Sequence, residues 1–223
     1  SFIESFRRII KISSGVNSSI MTGLKIGLII LAAGASTRLG QPKQLLLFNG
    51  KTLLTHTVEQ ALNSRCRPII VVLGSQVEKI KLEINSYPIF TVKNPNWELG
   101  MSASIQTGLK ELKRIQPDSE AVVITLCDQP FISSQIIDKL VEIYQPIQPL
   151  MVVSEYNNIL GVPALFSNRL FEELMNLDTT TGAKSLIHKY SHHRSIVPFP
   201  LGIFDIDTPQ DYENLLNFNS ESE

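Results

Sequence analysis

Residues 26–43 read IGLIILAAGASTRLGQPK, an apolar run that passes directly into a loop of small and basic residues. A short apolar run bounded by turn residues is typical of a buried strand, and it is far shorter than the ~20 residues that a membrane-spanning helix needs. Downstream, similar runs alternate with segments of helical periodicity, the pattern of successive β-α-β units. The runs are almost continuously apolar, as expected for strands whose sheet is covered by helices on both faces.

The whole pattern predicts an α/β fold, namely a three-layer, Rossmann-like, doubly wound and mainly parallel sheet. Strands are predicted at Ile26–Ala32, Pro68–Leu73, Ile89–Val92, Ala121–Leu126, Leu150–Val153, Val162–Phe166 and Ser195–Val197. Helices are predicted at Thr52–Asn63, Gln76–Ile84, Ser102–Ile115 and Ser133–Tyr144. A final helix is predicted to start at Thr208, because residues 208–211 read Thr-Pro-Gln-Asp, a capping box with proline in the first helical position.

The length and composition fit one ordinary globular domain. A chain of 223 residues buries enough surface for a self-sufficient core, and 43% hydrophobic with 18% charged residues excludes collagen, coiled coil and general disorder. No repeat or linker divides the chain, so we expect a single domain over residues 25–217, followed by a polar tail at 218–223. Met21 is a candidate start site, and we expect residues 1–24 to be an extension without a function of its own.

Charge and cysteine content limit the partners and the compartment. The net charge is −1, with 20 Lys and Arg against 21 Asp and Glu, so no global basic field attracts nucleic acid. Residues 1–25 lack the apolar core of a signal peptide, so secretion is not expected. A membrane-surface anchor is the less favoured alternative, because a short helix with few aromatic residues binds a membrane weakly. Cys66 and Cys127 lie in apolar runs without metal-binding or redox spacing, which favours a reducing, cytoplasmic location. We expect a monomer or a weak oligomer.

The loop after the first strand is a candidate phosphate site, because ligands of open α/β sheets bind beyond the carboxyl ends of the strands. Its glycines and small residues allow backbone N–H groups to approach a polyphosphate, and Arg38 and Lys43 supply two cations. The loop is neither a P-loop nor a GxGxxG turn, which disfavours a hydride-transferring dinucleotide fold. The same residues are also compatible with a solvated turn that carries two surface cations.

Three aspartates are candidate metal ligands. Asp128 follows the strand at Ala121–Leu126 and would reach the same crevice, where a carboxylate can hold Mg²⁺ together with phosphate oxygens and water. Asp205 and Asp207 are two residues apart and share one face of an extended segment. The alternatives are structural: Asp128 could cap the turn before Pro130, and Asp207 could stabilise the N-terminus of the last helix.

Other chemistry is weakly supported. His188 and His192 are four residues apart, the spacing of a zinc pair, but no third ligand occurs at a convincing offset. Ser36, Ser102 and Ser104 lack the GxSxG elbow of a hydrolase. Trp97 could stack on a base or belong to the packing.

Several segments, taken together and in order, resemble the molybdenum cofactor cytidylyltransferase family. They span about residues 25–212. The matching segments are LAAGASTRLG at 31–40, QPKQLL at 41–46, GKTLL at 50–54, NPNWELGMSAS at 94–104, DQP at 128–130, GVPALF at 161–166, TGAK at 181–184 and DIDTP at 205–209.

The resemblance implies a fold like that of nucleotide-diphospho-sugar transferases and a role for individual residues. For nucleotide binding it implies Leu31, Ala33, Gly34, Arg38, Lys43, Gly74, Gly100 and Ser102. For the second substrate it implies Gly161, Pro163, Gly182 and Lys184. For catalysis it implies Arg38, Lys43 and Asp128. Mg²⁺ would be bound by Asp128 with Asp205 or Asp207.

The activity implied is Mg²⁺-dependent transfer of a cytidylyl group from CTP to the terminal phosphate of molybdopterin, with release of pyrophosphate. Residues 32–34 read Ala-Ala-Gly where guanylyltransferases of the family show two glycines, which favours CTP over GTP. Alternatives are guanylyl transfer, transfer to a sugar phosphate or another small phosphate, and a non-catalytic carrier of pterin or nucleotide. A molybdoenzyme or its chaperone would receive the product.

Overall fold

The computed structural model describes residues 23–179 and 182–220, and the predictions for residues 1–22 and 221–223 lie outside this range. Its strands are β1 Ile26–Ala32, β2 Leu47–Phe48, β3 Lys51–Thr52, β4 Ile69–Leu73, β5 Phe90–Lys93, β6 Ala121–Leu126, β7 Met151–Tyr156, β8 Ile159–Ser167 and β9 Arg194–Pro198. Its α-helices are α1 Leu53–Asn63, α2 Val77–Lys81, α3 Met101–Ile115, α4 Ser134–Ile147, α5 Phe171–Met175, α6 Lys184–Lys189 and α7 Pro209–Ser220. Single 3₁₀ turns lie at Lys43–Leu45, Leu82–Ile84, Trp97–Leu99, Asn168–Leu170 and Pro200–Ile203.

Seven strands form the central sheet in the order β5-β4-β1-β6-β8-β7-β9. The pairs β4-β5, β1-β4, β1-β6 and β7-β9 are parallel, whereas β8 is antiparallel to both β6 and β7. The predicted doubly wound, mainly parallel α/β sheet is therefore confirmed, and β8 is its one reversed strand in the described residues. The order in which the chain adds strands to the sheet reverses direction between β1 and β6. A crevice therefore opens at the carboxyl ends of these two strands.

Successive residues of the central strands fill two separate cores. Leu28 and Ile30 of β1 point to one face of the sheet, and Ile29 and Leu31 point to the other. One core is closed by α1 and α4, and the other by α3, α5 and α6. Burial on both faces is the reason that the strands are almost continuously apolar.

The helix ends follow their capping residues. The Thr52 and Ser133 hydroxyls accept hydrogen bonds from the N–H groups of Thr55 and Ile136, so the predicted helices begin one residue later, at Leu53 and Ser134. Before α7, the Asp211 N–H donates to Thr208 Oγ1, and the Thr208 N–H donates to Asp211 Oδ2, as the predicted capping box requires.

Three features differ from the predicted elements. The segment predicted as one helix at Gln76–Ile84 is the short helix α2 followed by a 3₁₀ turn. The hairpin β2-β3 was not predicted, nor were the short helices α5 and α6. No helix among residues 23–179 and 182–220 combines the length and apolar character needed to cross a bilayer.

Candidate active site

Two adjacent cavities, which share part of their lining, open where β1 and β6 end. The smaller cavity, of about 190 Å³, is lined by Leu31, Ala33, Gly34, Lys43, Trp97, Gly100, Met101, Ser104, Leu126 and Asp128. The larger cavity, of about 590 Å³, is lined by Lys43, Gly100, Met101, Leu126, Asp128, Tyr156, Gly161, Val162, Thr179, Gly182, Ala183, Lys184, Ile187, Asp205 and Asp207. Lys43 and Asp128 line both cavities, so one cation and one carboxylate stand at their junction.

Lys43 is the centre of the polar contacts in this cleft. Its Nζ donates to Asp128 Oδ2 at 2.5 Å and to Asp207 Oδ1 at 2.9 Å, and its side chain is only 15% exposed. Burial alone would lower the pKa of Lys43, but the Asp128 carboxylate outweighs it, so the pKa lies above its usual range. Lys43 is therefore a permanent positive charge at neutral pH.

Arg38 reaches the cleft through Asp207. Its Nη2 donates to Asp207 Oδ2 at 2.9 Å, while 68% of the Arg38 side chain remains exposed. Burial would raise the pKa of Asp207, but the hydrogen bond and charge of Lys43, together with Arg38, hold it below its usual value. Arg38 thus lies at the open rim, where its remaining N–H donors face solvent.

The loop after β1 presents backbone donors. Gln44 is fully buried, and its Nε2 donates to the carbonyls of Ala32 and Gly34 at 2.8 and 3.0 Å, which holds the loop against the sheet end. Ser36 adopts a positive φ of 56°, and its hydroxyl accepts from the Lys43 N–H. Within the described residues, none of the backbone N–H groups of residues 34–38 donates a hydrogen bond. Such a row of free N–H groups is an anion-binding arrangement.

Gly74, Gly100 and Ser102, which were predicted to bind the nucleotide, do not all line the two cavities. Gly100 lines both cavities and precedes α3 with a φ of 95°. Ser102 is fully buried, and its hydroxyl donates to the Asp178 carbonyl, so Ser104 rather than Ser102 lines the smaller cavity. A Cβ at Gly74 would lie 2.5 Å from Trp97 Cβ, so Gly74 supports Trp97 from behind instead of lining the smaller cavity.

The residues predicted for the second substrate mostly surround the larger cavity. Gly161, Gly182 and Lys184 all line it. Pro163 does not line it, and its carbonyl accepts from the buried Ser154 hydroxyl at 2.6 Å.

The carboxylates of the cleft have the chemistry of a divalent-ion site. Asp128 Oδ1 is buried and accepts no hydrogen bond within the described residues. Burial and the charges of Asp128 and Asp207 raise the pKa of Asp205, so a cation here would relieve repulsion. Among residues 23–179 and 182–220, no three His, Cys, Asp or Glu side chains form a ready-made metal cluster. The residues therefore fit a hard ion that takes its other ligands from phosphate and water oxygens.

The zinc alternative finds no support in the geometry. Helix α6 ends at Lys189, so His188 and His192 do not share a helix, and both side chains are exposed.

Three polar residues of the site were not predicted. Gln44 and Gln129 lie inside the matching segments QPKQLL and DQP. The sequence does not indicate, however, whether an uncharged amide forms hydrogen bonds with the backbone or with a ligand. Tyr156 lies at the end of β7 and lines the larger cavity. Its position depends on the reversed strand β8, which the apolar pattern does not reveal.

Comparison with known proteins agrees with this arrangement. A model of the MobA-like NTP transferase domain matches residues 28–195, most of the chain. The molybdenum cofactor cytidylyltransferase of Escherichia coli (strain K12) is 27% identical over 190 residues, 84% of this chain and 93% of that protein. Nicotine blue oxidoreductase of Paenarthrobacter nicotinovorans is 31% identical over 119 residues, 53% of this chain; the match spans only 56% of that protein.

Solved structures with a similar fold give a second comparison. Rv0371c of Mycobacterium tuberculosis H37Rv has a TM-score of 0.76 at 28% identity, covering 88% of this chain and 100% of that one. The same protein in complex with manganese has a TM-score of 0.73 at 26% identity, covering 86% of this chain and 98% of that one. The nucleotide-diphospho-sugar-transferase-like fold and the family resemblance are thereby confirmed, and the chain belongs to the family of MobA-like NTP transferase domains.

Proposed function

We propose that this nucleotidyltransferase moves a cytidylyl group from CTP to the terminal phosphate of molybdopterin and releases pyrophosphate, with Mg²⁺ as cofactor. The observation that carries the proposal is the junction of the two cavities at Lys43 and Asp128. A nucleotide in the smaller cavity and an acceptor phosphate in the larger one would meet at this junction, as an in-line displacement requires. The relationship to the Escherichia coli molybdenum cofactor cytidylyltransferase supports the choice of substrates.

The smaller cavity, of about 190 Å³, suits the base end of the nucleotide, and the phosphates would lie along the open loop after β1. Leu31, Ala33 and Gly34 line it beside Gly100, and the free N–H groups of residues 34–38 would donate to phosphate oxygens. Arg38 at the rim would neutralise the outer phosphates, which leave as pyrophosphate. Gly74 would support the base side through Trp97, and Ser102 would fix the first turn of α3 through its bond to Asp178.

The larger cavity suits the acceptor. Gly182 leaves room along its wall, the lack of a side chain at Gly161 makes space for the Tyr156 hydroxyl, and Lys184 offers a cation for the acceptor phosphate. Pro163 would act indirectly, by shaping the strand that carries Gly161 and Val162. The size of this cavity, about 590 Å³, lies within the ~300–1,000 Å³ of sites that hold a small organic ligand.

The chemistry needs orientation and charge more than proton transfer. A phosphate monoester is largely ionised near neutral pH and can attack the α-phosphorus without a general base. Lys43 keeps its proton, so it would stabilise negative charge on the transferring phosphate and would not act as a base. Mg²⁺, held by Asp128 with Asp205 or Asp207, would act as a Lewis acid on the same phosphate oxygens.

Pyrophosphate release tests the proposal directly. We expect release from CTP only when molybdopterin and MgCl₂ are both present, and slower release from GTP, ATP and UTP. Asp128→Asn should lower kcat/KM by roughly 100-fold or more, since it removes a charge at the junction. The matched control is Asp118→Asn, because Asp118 precedes the same strand β6 at the opposite, amino end.

The possible outcomes separate the alternatives. Release with GTP alone would identify a guanylyltransferase. Release with a sugar phosphate but not with molybdopterin would place the acceptor in another class. Tight CTP binding without turnover on any phosphate acceptor would overturn the enzymatic proposal and support a carrier that passes pterin or nucleotide to a molybdoenzyme or its chaperone.

A further inference from the structure

Trp97 stands between the smaller cavity and an outer cavity at the carboxyl ends of β4 and β5. The outer cavity has a volume of about 640 Å³. Gly74 and Ser75, which follow β4, contribute to its lining together with Lys93 and Pro95 near the end of β5. Among the described residues, Trp97 is the one that lines both the smaller and the outer cavity, so it separates the two spaces.

Trp97 lies at the base end of the smaller cavity. Lys43 and Asp128 line the larger cavity as well, so they mark the end of the smaller cavity at which the phosphates would react. Ala33, Trp97 and Ser104 line the smaller cavity but not the larger one, and they form the opposite end. A nucleotide with its reacting phosphate between Lys43 and Asp128 would therefore place its base beside Trp97.

The other walls of the base end are fixed by hydrogen bonds. Ser104 is only 4% exposed, and its Oγ accepts from Asn94 Nδ2 at 3.0 Å. Ala33 lies in the loop held by Gln44, and its carbonyl accepts from the Ser75 N–H at 3.1 Å. The base end therefore cannot widen past Ala33 or Ser104 without breaking these hydrogen bonds, which is costly at buried positions.

Trp97 itself is held in place from two sides. Its carbonyl accepts from the Gly100 N–H at 3.1 Å, and the Asn96 N–H donates to the buried Asn94 side chain at 2.9 Å, so the turn that carries Trp97 is fixed. A Cβ at Gly74 would lie 2.5 Å from Trp97 Cβ and 2.8 Å from its Cγ, so the missing side chain at Gly74 allows close packing. The indole also packs against the core beneath α3. It is therefore a rigid wall.

One-ring and two-ring bases would meet this wall differently. The smaller cavity, of about 190 Å³, lies below the ~300–1,000 Å³ of sites that hold a whole small ligand, so it has little spare room beyond one ring. A purine extends further from the ribose than a pyrimidine, because its six-membered ring is attached through a second, fused ring. The space that the outer ring needs lies behind Trp97, in the outer cavity. Steric exclusion of a competing ligand is a common source of specificity.

We propose that Trp97 is a specificity-determining residue whose indole closes the base end of the smaller cavity and excludes purine nucleotides by their size. The inference rests on the proposed function, because it takes the smaller cavity to hold the base of the donor nucleotide. It assigns the discrimination between one-ring and two-ring bases to a residue outside the loop after β1. CTP and UTP have rings of the same size, so Trp97 does not discriminate between them.

Nucleotide binding without an acceptor tests the exclusion. Isothermal titration calorimetry with MgCl₂ gives the dissociation constants for CTP and GTP. Trp97→Ala should tighten GTP binding by about tenfold or more, since it removes the steric clash, and should change CTP binding much less. Trp97→Leu, which keeps an apolar side chain of intermediate size, should tighten GTP binding to a smaller extent. Leu99→Ala is the matched control, because Leu99 lies in the same 3₁₀ turn and lines neither cavity.

Two results would overturn the inference. The first is GTP binding that is tightened in neither Trp97 variant, because a tryptophan that only stacks on the base or supports the fold gives no gain for a purine. The second is a larger gain for GTP in Ala33→Gly than in both Trp97 variants, which would assign the exclusion to the loop after β1.

Pyrophosphate release separates this inference from the proposed function. In Trp97→Ala, release from GTP with molybdopterin should rise relative to release from CTP. If GTP binding tightens as expected but no nucleotide yields pyrophosphate with molybdopterin, the proposed function is wrong and the role of Trp97 stands. If CTP is turned over while neither Trp97 variant binds GTP more tightly, the role of Trp97 is wrong and the proposed function stands.

Discussion

Lys43 joins parts of the chain that are far apart in sequence. Its ammonium contacts Asp128 and Asp207, which lie 85 and 164 positions further along the chain. The three side chains come from the first loop, the end of β6 and the segment before α7, so the cleft exists only when the whole sheet is assembled. Removing the ammonium would leave the Asp128 carboxylate, 12% exposed, without its cation.

We therefore expect Lys43→Met to lower kcat for pyrophosphate release by roughly 100-fold or more, because one positive charge at the transferring phosphate is lost. Steady-state release from CTP and molybdopterin measures the effect. Lys25→Met is the control, since Lys25 forms an exposed ion pair with Asp118 at the amino ends of β1 and β6, away from the cleft. A Lys43→Met enzyme with undiminished kcat would remove Lys43 from the proposed mechanism.

We expect His56 to make the stability of the protein depend on pH. Burial holds the pKa of His56 below its ordinary value of 6.5, and its Nε2 has no partner within the described residues. The unfolded chain then binds a proton near pH 6.5 while the folded protein does not. The free energy of unfolding should fall as the pH decreases from about 7.5 towards the folded-state pKa.

Urea unfolding between about pH 5 and pH 8 measures this slope. We expect His56→Gln to flatten it, and the exposed His188→Gln to leave it unchanged. An unaltered slope in His56→Gln would show that another group is responsible.

Charged residues of the candidate site could be predicted from sequence, whereas uncharged polar side chains could not. Arg38, Lys43 and Asp128 follow predicted strands or lie in the first loop, and carboxyl ends of parallel strands meet at one edge. Gln44 and Tyr156 gave no comparable signal, because an amide or a phenol side chain occurs in structural packing as often as in binding sites. Ser102 stood in a matching motif, yet its hydroxyl bonds to Asp178 at a buried position.

At the scale of elements, α3 is held against the sheet by a close contact. A Cβ at Gly108 would lie 2.7 Å from Ile29 Cγ2 in β1 and 2.9 Å from Val72 Cγ2 in β4. The helix begins immediately after Gly100, so its distance from the sheet also sets the width of the smaller cavity.

We expect Gly108→Ala to lower the free energy of unfolding by about 1–3 kcal/mol through overpacking, despite the higher helix propensity of alanine. It should also weaken CTP binding, measured by Trp97 fluorescence. Lys110→Ala, an exposed position of the same helix, is the control. Equal stability of both variants would mean that the sheet accommodates the methyl group without strain.

The apolar pattern predicted the long elements and the mainly parallel sheet, but not the short elements or the reversal of β8. Strands β1 and β6 have the predicted bounds, because each is buried on both faces. Helices α5 and α6 are little more than one turn long, too short for a helical period. The reversal at β8 depends on a two-residue turn at Asn157 and Asn158, both with positive φ, which continuous apolar runs do not encode.

At the scale of the whole molecule, ligand binding should stabilise the fold. A ligand at 100 times its dissociation constant adds ~2.7 kcal/mol, and in a domain of this size that raises Tm by about 5–10 °C. A thermal-shift series with CTP, GTP, ATP and UTP, each with MgCl₂, should show the largest increase with CTP. Asp118→Asn should respond like the wild type, and a Tm unaffected by all four nucleotides would contradict the proposed smaller cavity.

The tight turn at Asn157 and Asn158 has a consequence for how new specificities could arise. It joins β7 and β8 beside Tyr156 and Gly161, which line the larger cavity proposed for the acceptor, and it lies apart from the loop that follows β1. Insertions or substitutions in this hairpin turn would change the proposed acceptor site without changing the proposed nucleotide site. The scaffold is therefore modular, and grafted tips offer a direct route to enzymes that label other phosphorylated compounds.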